Sequence, residues 1–447
     1  MQNVAVISLG CDKNRIDTEH MLYRLVRGGF AVSDVADADV IIVNTCAFIE
    51  SAREESIDTI LTYAELKKSG KCKKLVVTGC MPQKYRAELV AELPEVDAFL
   101  GTFEYDNIVD IVNGLFGTEQ SGEAEQAHTA ENEESTDTAF YDAENCGRML
   151  TTYPHVAYLK IAEGCNNKCT FCTIPSIRGK YKSRPLADVC AEAKKLADDG
   201  VNELILVAQD VSRYGEDLGS SLMQLLDELE KLPVTIRLLY CYPERITDEL
   251  IEKISGSTKI AKYIDIPIQH CSDKILKLMN RKTSRQALET LINKLHAHGI
   301  VVRTTLMVGF PGETQKEFDE LCEFVQTVKP EYAGVFAYSK EDDTPSARLP
   351  DQVKKSDKVK RVSVLGRACA AVTKQFNAAQ VGKTLRVIYE DVDFDKNRFV
   401  GRAEFQTPDV DGVVYIQGNG LEVGSYYDVL ITKSTNYDLY GKVIGEE

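Results

Sequence analysis

The sequence predicts an α/β multidomain protein: an N-terminal doubly wound α/β domain over 1–117, an acidic linker over 118–147, a second βα array over 148–378, and a small antiparallel, OB-like β-barrel over 379–447. Three observations predict this. Short apolar runs alternate with helix-length amphipathic stretches in two long blocks. A stretch rich in Glu and lacking apolar periodicity, including Glu131-Asn-Glu-Glu-Ser-Thr-Asp-Thr, separates the blocks and reads as an exposed linker. From about Gln380 the pattern changes to short strands separated by Gly, Asp or Asn turns.

In the first block, Val4-Ala-Val-Ile-Ser-Leu-Gly-Cys11, Val40-Ile-Ile-Val-Asn-Thr-Cys46 and Leu75-Val-Val-Thr-Gly-Cys80 are β-rich runs that each end in cysteine and each precede a helical stretch. Such alternation predicts a parallel sheet with helices on both faces, in which ligands gather beyond the carboxyl ends of the strands. Neighbouring strands lie about 4.8 Å apart, so Cys11, Cys46 and Cys80 can converge within reach of one cluster. Buried strand-end cysteines are the competing reading, because free Cys is among the most buried residue types. Three at one topological position favour ligands.

Candidate strands of the second block are Val156 to Ala162, Glu203 to Ala208, Ile236 to Tyr240, Tyr263 to Pro267, Val301 to Val308 and Ala333 to Ala337. After the first, and after Gly164, comes Cys165-Asn-Asn-Lys-Cys169-Thr-Phe-Cys172. Three thiolates spaced C-x3-C-x2-C can hold three irons of a 4Fe-4S cluster and leave the fourth iron open. Electron-transfer ferredoxins close all four corners, and structural zinc sites want four ligands. The remaining cysteines, Cys72, Cys146, Cys190, Cys241, Cys271, Cys322 and Cys369, show no joint pattern and read as packing residues.

Composition narrows the class. Thirteen scattered cysteines, an odd number, do not form a disulfide framework and point to a reducing compartment. Met1-Gln-Asn-Val-Ala-Val-Ile enters a strand pattern without a basic leader, and no apolar run reaches membrane-spanning length. A cytoplasmic enzyme with no membrane partner is the expectation. A net charge of -16 argues against sequence-independent nucleic-acid binding and favours a basic protein partner. The glycines form no dinucleotide fingerprint.

The cysteine spacing and Phe171 resemble the radical S-adenosylmethionine (SAM) superfamily, and the six βα units resemble its partial (β/α)6 TIM-like barrel. That resemblance implies that the open iron chelates SAM and that an electron cleaves it to a 5'-deoxyadenosyl radical. It also makes Gln209, Gln269, Arg303 and the Gly309 turn candidate SAM contacts, presented near the carboxyl ends of strands. His270 is a weaker candidate, since hydrogen abstraction by a radical needs no histidine base. The terminal barrel resembles a TRAM domain, but after Gln380 it carries 7 Lys and Arg against 12 Asp and Glu. A basic protein suits it better than RNA.

Taken together, these parts resemble the methylthiotransferases. Ser8-Leu-Gly-Cys11-Asp-Lys-Asn14-Arg-Ile-Asp17-Thr-Glu19, Tyr158-Leu-Lys-Ile-Ala-Glu-Gly-Cys165, Ile174-Pro-Ser-Ile-Arg-Gly179 and Ser183-Arg-Pro185 are similar to the RimO branch, although Asp12 and Thr173 depart from its usual proline and aliphatic residue. The resemblance implies a methylthio transfer to the β-carbon of an aspartate in a small-subunit ribosomal protein near the decoding centre. It implies two 4Fe-4S clusters, one on Cys165, Cys169 and Cys172 and a second on Cys11, Cys46 and Cys80. SAM would be both radical source and methyl donor, with sulfide or polysulfide as co-substrate and an external electron donor. The alternative is a MiaB-like tRNA adenosine methylthiotransferase.

Overall fold

A computed structural model of the chain describes residues 2–117 and 147–444. The acidic linker expected over 118–147 lies, apart from Gly147, outside the described residues, as does Cys146. The fold has two units. The first comprises Met1–Thr151, Lys160–Asn167 and Cys172–Glu192; the second comprises Thr152–Leu159, Lys168–Phe171 and Ala193–Glu447.

The first unit is built on β1 (Asn3–Ser8), β2 (Ala31–Val32), β3 (Val40–Thr45), β4 (Lys74–Gly79) and β5 (Ala98–Leu100), all parallel, in the order β2-β1-β3-β4-β5. Every residue of β3 is buried, as a central strand covered on both faces requires. Its side chains alternate between two cores. Ile41 and Val43 pack with Leu75, Val77 and the helices Glu50–Lys68 and Cys80–Glu92. Val40 and Ile42 face the other way, towards Met21 and Leu25 of helix Asp12–Arg27 and Ile108 of helix Ile108–Gly114. The expected doubly wound arrangement is therefore present, and Cys11, Cys46 and Cys80 follow three neighbouring strands.

In the second unit, β6 (Val156–Lys160) precedes the short pair β7 (Ala162–Glu163) and β8 (Lys182–Ser183), which itself belongs to the first unit. The strands β9 (Glu203–Val207), β10 (Thr235–Leu238), β11 (Ile260–Asp265), β12 (Val301–Val308) and β13 (Tyr332–Ala337) complete an open six-stranded sheet in the order β13-β12-β11-β10-β9-β6. From β9 to β13 the pairings are parallel. Helices alternate with these strands, giving the partial (β/α)6 barrel. The last strands, β14 (Thr384–Asp393), β15 (Arg398–Ala403), β16 (Val414–Gln417), β17 (Tyr426–Ser434) and β18 (Leu439–Val443), close a five-stranded barrel. Its interior holds Val387, Val414, Ile416, Val429, Ile431 and Leu439.

That small barrel rests on the amino-terminal ends of the central strands. Glu203, the first residue of β9, receives Arg237 Nε at 2.6 Å and Arg402 Nη2 of β15 at 2.5 Å. Thr235, the first residue of β10, meets the Tyr426 hydroxyl at 2.9 Å. The carboxyl ends of the same strands are left to the loops that carry the candidate SAM contacts. Among the described residues, no helix is long and apolar enough to cross a membrane.

Candidate active site

Two of the three N-terminal cysteines sit where a strand hands over to a helix. Cys11 caps the helix Asp12–Arg27, and Cys80 is the first residue of helix Cys80–Glu92. Gly10 and Gly79 precede them with φ of 89° and 102°, a region that L side chains rarely adopt. Space also requires glycine there. A Cβ on Gly10 would lie 2.7 Å from Cys46 Cβ, and one on Gly79 would lie 2.6 Å from the Thr45 carbonyl. Each glycine thus admits the strand end that carries Cys46.

The three thiols lie near enough to feel one another. Burial pushes the Cys80 thiol up to about 12, with Cys11 and Cys46 adding to the shift and Arg178 opposing it. Cys46 is raised by burial and then by Cys11. Bound iron would displace those protons, since a coordinating thiol is deprotonated outright. Among the described residues no group of three His, Cys, Asp or Glu side chains is arranged to hold a single metal ion. A four-iron cube instead takes thiolates at separate corners. The donor set, three neighbouring thiols with glycine on two approaches, fits such a cluster.

A polar network frames these cysteines, and sequence reasoning assigned it no role. Asn14 Nδ2 donates to the Leu9 carbonyl at 3.0 Å and the Thr45 carbonyl at 2.9 Å, tying together the chain just before Cys11 and Cys46. Asn14 Oδ1 accepts from Arg178 Nη2 at 2.5 Å, and the same Nη2 is 3.4 Å from Cys80 Sγ. Arg178 Nη1 meets Asp17 at 2.8 Å and Glu163 at 3.2 Å, while Lys160 Nζ bridges the same two carboxylates at 2.5 and 3.0 Å. All five of these partners and Arg178 itself are buried. The one available sequence signal was a polar stripe, Asn14, Asp17 and Thr18, on the inner face of a helix where apolar residues are the norm.

In the first unit, the amide of Cys165, which opens the C-x3-C-x2-C motif, donates to the Gly179 carbonyl at 3.1 Å. Gly164 has φ 75°, and a Cβ there would lie 2.2 Å from the Lys180 carbonyl oxygen. The amides of Asn167 and Ile174 each lie 3.4 Å from a thiol, that of Cys165 and Cys172 respectively. In the second unit, Cys169 Sγ is 3.5 Å from the Tyr242 hydroxyl, whose ring lies under the Arg281 guanidinium at 3.8 Å. Phe171 packs edge-on to Phe310.

Gln209 follows β9, and Gln269 follows β11 with φ 70°; Gln269 is stitched to β12 through its amide to Thr305 and its carbonyl to Met307. Gly309 follows β12, and its amide donates to Glu313 at 2.9 Å. These three lie just past strand carboxyl ends. Arg303 differs, being the third residue of an eight-residue strand. Its guanidinium is held by Asp265 at 2.9 Å and faces Asp411, from the loop between β15 and β16, at 3.6 Å. His270 is buried, with Nδ1 accepting from the Ser272 amide and Nε2 3.4 Å from Glu313.

Comparison with known proteins agrees with this anatomy. Residues 159–325 match the radical SAM superfamily, 3–101 match the uncharacterized protein family UPF0004, and 381–444 match the TRAM domain. A ribosomal protein uS12 methylthiotransferase RimO from Clostridioides difficile is 44% identical, with 100% of each chain covered. This chain belongs to the RimO family. Other RimO proteins agree: that of Geotalea uraniireducens is 44% identical, covering 99% of this chain and 98% of its own, and that of Thermoanaerobacter sp. is 43% identical, covering 99% and 100%. Among solved structures, the radical SAM methyltransferase TsrM from Kitasatospora setae with a SAM analogue bound shares the fold at TM-score 0.55 and 12% identity, covering 83% of this chain and 89% of its own. For a RimO-family chain, the superfamily match implies SAM and 4Fe-4S chemistry.

Proposed function

We propose that this chain is a radical SAM methylthiotransferase that adds a methylthio group to the β-carbon of an aspartate in ribosomal protein uS12. Full-length similarity to RimO proteins carries the reading, and the cysteine triad on neighbouring strands supports it. Cys165, Cys169 and Cys172 would hold one 4Fe-4S cluster and Cys11, Cys46 and Cys80 a second. When bound, these groups supply reductive SAM cleavage and the sulfur for transfer.

The protein's own residues have narrower tasks. Gly10 and Gly79 let the three strand ends close up, and Asn14 locks two of them in place. Gln209, Gln269 and Gly309 would bind SAM along the carboxyl edge of the barrel, with Arg361 holding the Glu313 carboxylate that accepts from the Gly309 amide. Arg303, pinned between two carboxylates, would support that edge from below.

The terminal barrel's acidic balance fits uS12, a basic kind of partner, near the decoding centre of the small subunit. An external reductant, sulfide or polysulfide, and a cytoplasmic setting complete the reading. Mass spectrometry tests it after anaerobic incubation of the reconstituted, reduced enzyme with SAM, sulfide, uS12 or its aspartate loop peptide, and unmodified tRNA in parallel. Methylthio mass on the aspartate peptide alone is expected. Gain on tRNA adenosine alone would transfer the chain to the MiaB-like alternative.

A further inference from the structure

Arg178 belongs to the stretch Ile174-Pro-Ser-Ile-Arg-Gly179, which begins two residues after Cys172. The five-residue helix Ile174–Arg178 ends at Gly179 with φ 72°, and it delivers a fully buried guanidinium to the other group of cysteines. One nitrogen, Nη1, is clamped by Asp17 and Glu163. With that edge fixed, the planar fork leaves Nη2 aimed at Asn14 Oδ1 and Cys80 Sγ. Lys160 shares the two carboxylates.

We propose that Arg178 is a positioning residue for the cluster on Cys11, Cys46 and Cys80: by donating from Nη2 to the Cys80 sulfur, it fixes that ligand and raises the cluster's reduction potential. The inference rests on the reading of these three thiols as cluster ligands. Reduction adds one electron, and so one negative charge, to the cluster. N–H donors to its sulfurs favour the reduced form. Replacing Arg178 by a neutral side chain removes that donor and withdraws one positive charge from a buried site beside the sulfur, where charges are weakly screened. Both changes lower the potential. A purely structural salt bridge would stabilise the fold without this electronic signature.

The test uses the full chain with Cys165, Cys169 and Cys172 replaced by Ala, loaded with iron and sulfide and titrated with dithionite under EPR. R178Q is expected to hold iron with a midpoint shifted negative by at least tenfold in the reduction equilibrium, about 59 mV for a one-electron couple. R178K is expected to shift in the same direction by less. A second readout needs no substitution at 178. With guanidinium-15N arginine in the parent, pulsed EPR of the reduced cluster should detect a 15N coupling, absent from R178K. An iron-loaded parent without that coupling, or iron-loaded variants with unchanged midpoints, would overturn the inference. If the variants hold no iron, the coupling in the parent decides. A parent that binds no iron at this site overturns the three-thiol reading itself, and the inference with it.

Discussion

Glu203 carries two guanidiniums on one carboxylate, with Arg237 beside it in the sheet and Arg402 reaching it from the terminal barrel. Burial alone would raise its pKa; the two arginines overcome burial and hold it down to about 2. A carboxyl depressed in the folded state contributes stability above its unfolded value near 4.5, and that contribution is lost as pH falls towards 2. Glu203→Gln should therefore cost about 3–5 kcal/mol at neutral pH, as breaking a buried pair does. Denaturant melts of parent and variant should converge between pH 4.5 and 2. Equal gaps at pH 7 and pH 2.5 would refute the linkage. For the thiols, Cys→Ala at any of Cys11, Cys46, Cys80, Cys165, Cys169 or Cys172 should lower bound iron from about eight to about four per chain. Cys369→Ala should leave it unchanged, since Cys369 is a buried packing residue of helix Lys355–Ala378. Equal iron across all seven variants would sink the ligand assignment.

Elements differ in how openly the sequence announces them. The strands β3, β4 and β9 show as largely apolar runs because both of their faces are covered. β2, β5, β7 and β8 span two or three residues, too few for a period to appear, and tertiary pairing alone makes them strands. The cysteines were legible for a related reason: three lie within one loop, and three recur at the same place in successive βα units. Asn14 and Arg178 were not, because their bond joins residues 164 positions apart and no local pattern marks it. Arg303 was legible as a cation inside a barrel strand, but its neighbours Asp265 and Asp411, one from the next strand and one from the terminal barrel, were not. Helix Gln315–Val328 begins with a capping box in which the Thr314 hydroxyl and Glu317 carboxylate satisfy each other's backbone amides. Thr314→Ala should cost about 1 kcal/mol. Because the Glu313 brace on Gly309 immediately precedes it, the same change should also weaken SAM binding, measurable as a raised Kd by calorimetry.

Over the whole molecule, the terminal barrel bears on recognition. Its Arg402 is buried against Glu203 and Glu390, so that cation is unavailable to a polyanion. Binding to tRNA should accordingly be weak at physiological salt, whereas binding to uS12 should be measurable and should weaken as salt rises. Fluorescence anisotropy with labelled tRNA and labelled uS12 separates the two outcomes. Tight, salt-dependent tRNA binding would favour the MiaB-like alternative.

The first unit is not continuous in the chain: it takes its final pieces from Lys160–Asn167 and Cys172–Glu192. Asp17 meets Lys160 and Arg178 there, so during synthesis it waits for cations encoded far downstream. At about 5–20 residues per second the wait is roughly ten to thirty seconds. Once residue 80 is made, Cys11, Cys46 and Cys80 are all present for roughly five to twenty seconds before the arginine that faces Cys80 is made. Iron delivered to a nascent chain for the proposed cluster would meet an unfinished cradle, so loading is expected to follow translation past residue 178.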